Sequence, residues 1–325
     1  MANRILKSNT LTRRLAALFF IFAHANICCA TPYAYITNQG ENTVHVIDLS
    51  SNRLLKSIEV GDDPAGVAIG HKRAKIFVSN PSEQSISVIS ATSHKVIATI
   101  TVAGTPLGIA ANPVQPEIYI ADWDNGRVLK LNATTHEISG ELKVGKTPTG
   151  LDVSADGGRL FVANRDSNSV SIIDLKSATT LQTVTVGRAP FGLTLSQDGQ
   201  FAFTANVQSS DISIIDTTTF EVTASIKVGE FPYAIVHHAE SGHLYVSNQQ
   251  ESTVSVVDLA SQMELKKINV GDYPEGIALL DEPSKVYVAN WFSNTLSVID
   301  TRTLEVVDTI DVGEGARAFG KFILN

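Results

Sequence analysis

Residues 148–187 read PTGLDVSADGGRLFVANRDSNSVSIIDLKSATTLQTVTVG, and this stretch decides the fold. It contains short segments rich in Val, Ile, Leu, Phe and Thr, separated by the turn-forming runs ADGG, RDSNS and LKSATT. No window has a 3.6-residue apolar period of helical length, so the unit is predicted to be four strands. The segment RLFVAN is almost continuously apolar, which indicates a strand buried on both faces.

The same unit recurs along the chain at a constant step of 42 residues. Its tetrapeptide occurs as YITN (35–38), FVSN (77–80), YIAD (119–122), FVAN (161–164), FTAN (203–206), YVSN (245–248) and YVAN (287–290). A series of turn residues keeps this step, at Asp48, Ser90, Asn132, Asp174, Asp216, Asp258 and Asp300. So do the strand-entry residues Pro64, Pro106, Pro148, Pro190, Pro232, Pro274 and Ala316. Four strands in about 40 residues predict a propeller blade, so we expect an all-β, seven-bladed β-propeller.

The motif Tyr-Val-Thr-Asn, the Val-Ile-Asp strand and the Val-Gly-x-x-Pro-x-Gly link resemble the repeats of the YVTN-type β-propellers. That family includes cell-surface-layer proteins and periplasmic seven-bladed propellers. The resemblance extends over residues 31–325 and implies the fold. It leaves the function open, because propellers carry many unrelated activities.

The register of the repeat predicts how the ring closes. The repeat starts at Tyr33 with the second strand of a blade, and it ends with ARAFGKFIL (316–324), which matches a first strand. An open ring would expose strand edges. We therefore expect the C-terminal strand to pair with the N-terminal three strands and complete one blade.

Residues 1–30 have the pattern of a secretory signal peptide. Four basic residues, Arg4, Lys7, Arg13 and Arg14, precede the apolar run LAALFFIFA (15–23), and small residues lead to Ala30. The pattern predicts cleavage after Ala30, although an uncleaved anchor is an alternative. Residues 31–325 would then form a single propeller domain of 295 residues, which is seven times 42 plus one.

Composition narrows the function classes. The chain of 325 residues has 25 Lys and Arg against 33 Asp and Glu, a net charge of −8. Cleavage would remove four bases and both cysteines, leaving a net charge of −12, no disulfide and no thiolate ligand. The sequence has no CxxCH motif for covalent haem, and we expect no cofactor. The negative charge argues against a general nucleic-acid binder.

Residues that recur in every blade are explained as structure. The Asn of each tetrapeptide and the Asp48-type residues are predicted to cap turns, and Pro and Gly to set the entry into the inner strand. Function is therefore expected where the blades differ. We call the face that carries the entry links and the loops after the tetrapeptides the top face; the other two turns of each blade lie on the bottom face.

The top face collects the candidate binding residues. They are Trp291, Phe292, Tyr273, Glu275, Phe231, Tyr233, Arg317, Phe191, Trp123 and Arg165. Aromatic side chains and Arg in exposed loops are typical of a binding hot spot. The alternative is that the rings cover the central channel and pack on their neighbours.

Two charged groups on this face have further interpretations. Glu275 and Arg317 could act as acid–base and anion-binding groups, but the pattern favours a surface ion pair. Asp122, with Asp124 and the Asn-Gly turn at 125–126, faintly resembles a calcium loop but lacks its spacing, so a turn is favoured.

The histidines favour no metal site. His237, His238 and His243 surround one bottom turn and are weak candidates for zinc or copper, although solvated turn histidines are the favoured interpretation. No histidine falls in a top-face loop, and no GxSxG, Walker or Rossmann motif occurs. No catalytic residue is assigned.

The sequence favours an exported, monomeric and non-enzymatic scaffold that binds a protein or peptide partner of the cell envelope on its top face. The periplasm is the favoured location, with the cell surface and secretion as alternatives, and no transmembrane span would remain after cleavage. One alternative function is a propeller-type lyase or lactonase that uses Glu275, Arg317 and Asp122 or a bound metal. A second is stacking of single-stranded nucleic acid on the aromatic rings, which the negative charge opposes.

Overall fold

The computed structural model describes Met1 and residues 31–325. The seven tetrapeptides form strands that are buried on both faces, as predicted. The aromatic side chain that opens each of them is at most 1% exposed: Tyr35, Phe77, Tyr119, Phe161, Phe203, Tyr245 and Tyr287. Large buried rings at a fixed step fill the space between successive sheets and contribute to their packing.

The strands of residues 31–325 form seven sheets of four antiparallel strands each, one of which also pairs with a short C-terminal strand, confirming a seven-bladed propeller with four-stranded blades. Blade 1 contains β1 (Tyr33–Asn38), β2 (Thr43–Asp48) and β3 (Arg53–Glu59). Blade 2 contains β4 (Gly66–Ile69), β5 (Lys75–Asn80), β6 (Ser85–Ser90) and β7 (Lys95–Thr101). Blade 3 contains β8 (Pro106–Ala111), β9 (Glu117–Asp122), β10 (Arg127–Asn132) and β11 (Ile138–Lys143).

The next four blades keep the same order from the inner to the outer strand. Blade 4 contains β12 (Pro148–Val153), β13 (Arg159–Asn164), β14 (Ser169–Asp174) and β15 (Thr179–Thr185). Blade 5 contains β16 (Pro190–Leu195), β17 (Phe201–Asn206), β18 (Asp211–Asp216) and β19 (Val222–Lys227). Blade 6 contains β20 (Pro232–His238), β21 (His243–Asn248), β22 (Thr253–Asp258) and β23 (Met263–Asn269). Blade 7 contains β24 (Pro274–Leu280), β25 (Lys285–Asn290), β26 (Thr295–Asp300) and β27 (Glu305–Asp311).

The C-terminal segment closes the ring as predicted. Its strand β29 (Ile323–Leu324) pairs with β1, and the backbone N–H of Tyr35 donates to the carbonyl of Phe322 at 2.9 Å. The short strand β28 (Phe319–Gly320) also runs parallel to β4 of blade 2, which the sequence did not predict. The segment therefore joins two blades rather than one.

Short connections complete the described structure. Within residues 31–325, 3₁₀ turns occupy Gln39–Glu41, His71–Arg73 and Arg165–Ser167. In the part of the chain that the structure describes, no helix is long and apolar enough to cross a bilayer. The predicted signal peptide lies outside the described residues, except for Met1.

The Asn that ends a tetrapeptide links three parts of its blade. Asn164 is fully buried, and its Nδ2 donates to the hydroxyls of Ser169 and Ser171 on the next strand at 3.2 and 2.9 Å. Its Oδ1 accepts the N–H of Gly145 in the entry link at 3.0 Å. We expected this Asn only to cap a local turn. Its side-chain amide does more, because it connects two strands and the entry link by hydrogen bonds.

The Asp48-type residues cap the bottom turns, as predicted. Asp216 accepts the backbone N–H groups of Thr218 and Thr219 at 2.7 and 2.8 Å. In blade 3, Asn132 accepts the equivalent two N–H groups at 2.8 and 3.0 Å. Hydrogen bonds from the turn lower the pKa of the Asp216 carboxyl. The acidic caps therefore contribute to a pH-dependent stability.

Candidate binding face

The side chains that follow the entry prolines converge on the propeller axis and are buried. Leu107, Phe191 and Tyr233 are only 7%, 6% and 5% exposed. The ring centroids of Phe191 and Tyr233 lie 4.3 Å apart, and Phe319 lies 5.3 Å from Phe191. These rings close the top of the central channel. The expectation that Phe191 and Tyr233 belong to an exposed binding surface is therefore wrong.

Glu275 and Arg317 form a buried ion pair rather than a surface one. Arg317 Nε lies 2.9 Å from Glu275 Oε2, and the two side chains are 17% and 7% exposed. Arg317 also donates to the hydroxyl of Tyr233 at 2.5 Å, and Gln249 donates to Glu275 Oε1 at 2.7 Å. Burial raises the pKa of the Glu275 carboxyl, and the neighbouring Arg317 opposes that shift. The expectation of a surface ion pair is therefore wrong. Both side chains follow the strand-entry position of their blades and face the closed central axis of the propeller.

Three aromatic side chains remain accessible at the top of blade 7, and we call them the aromatic trio: Tyr273, Trp291 and Phe292. Phe292 is 60% exposed, while the other two are partly exposed. Its ring centroid lies 4.6 Å from that of Tyr273 and 4.5 Å from that of Trp291. Trp291 donates from Nε1 to the side-chain oxygen of Gln39 at 3.1 Å, which fixes the indole. The trio is an apolar contact surface whose orientation is already set.

The other predicted aromatic residues lie elsewhere on the top face. Phe231 is partly buried against the rings that close the channel. The Trp123 ring packs at a tilt against Phe191, with ring centroids 6.2 Å apart, and the Arg165 guanidinium lies 5.9 Å from the Trp123 ring centroid. Arg165 is further paired with Asp166 at 2.8 Å. The predicted residues therefore divide into a buried group, a Trp123–Arg165 pair and the trio.

Backbone strain does not distinguish the aromatic blades. Phe231 and Tyr273 have φ values of 55° and 57°, in the left-handed region that costs energy for residues other than Gly. Asp63, Thr147 and Ala189, at the same place in other blades, have φ values between 53° and 55°. The conformation therefore belongs to the repeat.

One position of the entry link carries opposite charges on two sides of the ring. The first residue after the Val-Gly pair of the link is acidic in four consecutive blades, at Glu230, Asp272, Glu314 and Asp62. It is basic in blades 4 and 5, at Lys146 and Arg188. All six side chains are exposed, and none of the four acids forms an ion pair with any residue that the structure describes. The links on both sides of the trio are therefore acidic at this position.

Asp122 is satisfied by its own blade. Its carboxylate accepts Arg127 Nε at 2.8 Å, the side-chain amide of Asn125 and the N–H of Thr105 at 3.1 Å. Arg127 stands where five other blades have Ser or Thr, and one has Asp211. The Asp–Arg pair therefore replaces the Asn–hydroxyl pair of the other blades, in agreement with a turn rather than a calcium loop.

The bottom-face histidines do not gather into a metal site. His238 contacts Ser241 and Ser284 through its two ring nitrogens at 2.8 and 3.0 Å. His237 instead packs on Phe203, with ring centroids 5.6 Å apart, and His243 packs on Tyr245. Across residues 31–325, no three His, Cys, Asp or Glu side chains are grouped so that they could hold a metal ion.

Below the closing rings, the central channel forms a cavity of about 880 Å³ that opens on the bottom face. Apolar side chains of the inner strands make up much of its wall, and Phe319 lies at its closed end. Asp152 projects into it and is 4% exposed. Lys321 Nζ lies 2.8 Å from Asp152 Oδ1.

Sequence reasoning did not identify the channel below the closing rings as a candidate site, and it did not place Asp152 and Lys321 there. The signal was present in the repeat. At successive steps of 42 residues, the position of Asp152 is occupied in the other blades by uncharged residues: Ala68, Ala110, Thr194, Val236, Ala278 and Gly320. The same comparison would have found the acidic links.

Comparisons with known proteins support the propeller fold. The family model described as Cytochrome D1 heme domain matches residues 120–234, and the YNCE-like beta-propeller model matches residues 234–316. No match was found among curated proteins.

Three solved structures with a similar fold have low sequence identity to this chain. A chain of Kuenenia stuttgartiensis hydrazine synthase is 19% identical with a TM-score of 0.73, covering 82% of this chain and 92% of that one. A functionally unknown protein from Desulfotomaculum acetoxidans is 17% identical with a TM-score of 0.76, covering 89% and 99%. A protein from Lactobacillus plantarum is 18% identical with a TM-score of 0.78, covering 91% and 99%. At these identities the likeness shows the fold alone.

The segment that matches the haem-domain model does not supply a haem ligand to the channel. Haem iron is held in proteins by His, Cys, Met or Tyr. The matched segment contains no Cys or Met, and its single histidine, His136, contacts Lys75 Nζ at 2.9 Å in a bottom turn. Its single tyrosine, Tyr233, is buried against Arg317 in the closing layer. The residues of this segment therefore do not fit a haem site.

Proposed function

We propose that this chain is an exported, non-enzymatic propeller of the YVTN type that binds a cationic segment of a protein or peptide partner on its top face. The observation that carries the proposal is the position of the aromatic trio among exposed carboxylates. Aromatic hot spots with a charged rim are typical of protein recognition sites.

The trio supplies the apolar part of the proposed contact. Phe292 is 60% exposed, so a partner would remove much of its ring from water. Trp291 is held by Gln39 and by its neighbouring rings, so little side-chain entropy is lost when a partner binds. The trio therefore has the properties of an anchor.

The surrounding acids select the sign of the partner's charge. Asp272 precedes Tyr273 in the link of blade 7, and Glu314 lies in the link of blade 1 beside Gln39 and Gly40. Lys and Arg side chains pair with carboxylates and also bind the faces of aromatic rings. The same acids disfavour a phosphate backbone, so the nucleic-acid alternative has less support.

The enzymatic alternative also has less support. Glu275, Arg317 and Asp122 are each engaged in buried or half-buried pairs. A general acid or base must reach the proton that it transfers. A binding role needs no such group, and the trio is accessible without rearrangement.

The proposal can be tested with two labelled peptides of equal length that alternate Leu with either Lys or Glu. Fluorescence anisotropy at low and high salt would measure their binding. We expect the Lys peptide to bind, to weaken with salt, and to lose at least about tenfold in affinity with Phe292→Ala. The double variant Asp272→Asn/Glu314→Gln should reduce the salt dependence.

Gln208→Ala is the matched control, because Gln208 occupies the exposed position of Phe292 in blade 5. It should change the affinity less than about twofold. Equal binding of the Glu peptide, or no effect of Phe292→Ala, would contradict the proposal. Binding of single-stranded oligothymidine that depends on Phe292 would favour the nucleic-acid alternative instead.

A further inference from the structure

We propose that the central channel is a second binding site, open on the bottom face, for a small amphipathic carboxylate held by the ammonium of Lys321. The site is separate from the proposed partner surface, because the rings of Phe191, Tyr233 and Phe319 close the channel between them.

The cavity has the size and wall chemistry of a small-molecule site. Its volume of about 880 Å³ lies within the usual range for such sites, roughly 300–1,000 Å³. The wall includes Ile109, Leu193, Ile277 and Leu279 from three inner strands, with Phe319 at the closed end. Walls of this kind favour the apolar body of a ligand.

The ion pair in the channel joins opposite sides of the ring. Lys321 follows β28 at blades 1 and 2, whereas Asp152 lies on β12 of blade 4. Asp152 is held from the other side by the N–H of Leu195 in blade 5, which donates to its Oδ2 at 3.1 Å. The buried carboxylate therefore holds the lysine side chain in place over the cavity.

The accessible charge in this pair is the positive one. The Lys321 side chain is 72% exposed, whereas the Asp152 side chain is 5% exposed. An ammonium has three N–H donors, and Asp152 accepts one of those on Lys321. A ligand carboxylate can therefore bind Lys321 without breaking the pair, while a ligand cation would have to displace Lys321.

Further bases lie at the mouth of the channel on the same side. Lys72 and Arg73 of the turn after β4 are exposed and line the cavity, together with His71. Asp281 lines the mouth on blade 7, and Arg73 also contacts the carbonyl of Asn325. Positive groups thus stand at the channel of an otherwise acidic chain, which attracts an organic anion toward Lys321.

Three ligands that share a ten-carbon chain but differ in their head group test the preference for a carboxylate: decanoate, decanol and decylamine. Isothermal titration calorimetry on the whole chain would give their affinities. We expect decanoate to bind at least tenfold more tightly than decanol, and decylamine to bind no better than decanol. Lys321→Met should remove the preference for decanoate, and Lys321→Arg should retain it.

Lys321→Met leaves Asp152 buried without its counter-ion and could destabilise the fold. The double variant Lys321→Met/Asp152→Asn removes both charges, and it should also lose the preference for decanoate. Lys176→Met, on an outer turn of blade 4, is the matched control and should keep the preference. The proposal is overturned if decanoate and decanol bind equally, if no probe binds, or if the preference survives in the double variant. Decanoate should also leave the affinity for the Lys peptide unchanged.

Discussion

The carboxylate of Glu275 and the guanidinium of Arg317 lie 2.9 Å apart in adjacent blades, largely buried beneath the top face. Two charges in such a place are tolerated because each has further partners, in Gln249 and Tyr233. The pair therefore acts as a structural contact between blade 7 and the closing C-terminal segment.

Removing the base alone should be costly. Arg317→Met leaves the Glu275 carboxylate buried without its counter-ion, and we expect a loss of about 3–5 kcal/mol of unfolding free energy at neutral pH. Burial raises the pKa of Glu275, so the loss should become smaller as acid protonates the carboxyl in the folded variant. Urea unfolding at neutral and mildly acidic pH measures both effects. The control is Glu275→Gln/Arg317→Met, which should recover part of the stability; a deficit independent of pH in the single variant would contradict this account.

The Asp122–Arg127 pair of blade 3 should behave as an exchangeable unit. Asp122→Asn removes the carboxylate that accepts Arg127 Nε, and we expect a cost of about 1–3 kcal/mol. Asp122→Asn/Arg127→Ser recreates the Asn–Ser pair of blade 4 and should recover most of it. Thermal unfolding of both variants and of Arg127→Ser completes a double-mutant cycle. If the losses in stability of the two single variants simply add in the double variant, the two residues do not compensate each other and the prediction is wrong.

Closure of the ring should depend on Phe322. Its side chain is fully buried where the C-terminal segment meets blade 1, so Phe322→Ala should cost about 3–5 kcal/mol. Val307→Ala, on the exposed outer strand of blade 7, is a control expected to change stability by less than about 0.5 kcal/mol. Thermal unfolding with light scattering would also detect aggregation through opened blades. Similar melting temperatures for the two variants would contradict a closing role.

The acidic turn caps should make the fold sensitive to acid. Turn hydrogen bonds lower the pKa of Asp216, Asp258 and Asp300 in the folded chain. Their contribution is complete above the unfolded pKa near about 3.9 and is lost as the pH falls through the folded values. Changing all three to Asn should keep the turns, as Asn132 does in blade 3, and should flatten the fall in melting temperature below about pH 5. An unchanged acid profile would show that other groups dominate.

The sequence by itself determined the number of blades, the strand order and the closure. A step of 42 residues repeated without insertion places every strand in the same position of its blade, and the last segment has the pattern of a first strand. The Asp caps could also be predicted, because their hydrogen bonds are made within two or three residues.

Only the tertiary structure decided which of the top-face side chains are buried and which are exposed. The repeat gives the position of Phe191 or Tyr233 within a blade, but their burial depends on seven inner strands meeting at one axis and on the sizes of the side chains that arrive there. Phe292 lies in the loop after the tetrapeptide of blade 7, and its side chain stays accessible. The same geometry separates the trio from the residues that close the channel.

The tertiary structure also decided which distant residues meet. Asp152 and Lys321 are 169 residues apart and approach each other only because the ring closes with blade 4 opposite the C-terminal segment. Short-range patterns determine strands and turns, since those depend on neighbouring backbone groups. Contacts across the ring depend on its diameter and on side-chain reach, which no local pattern records.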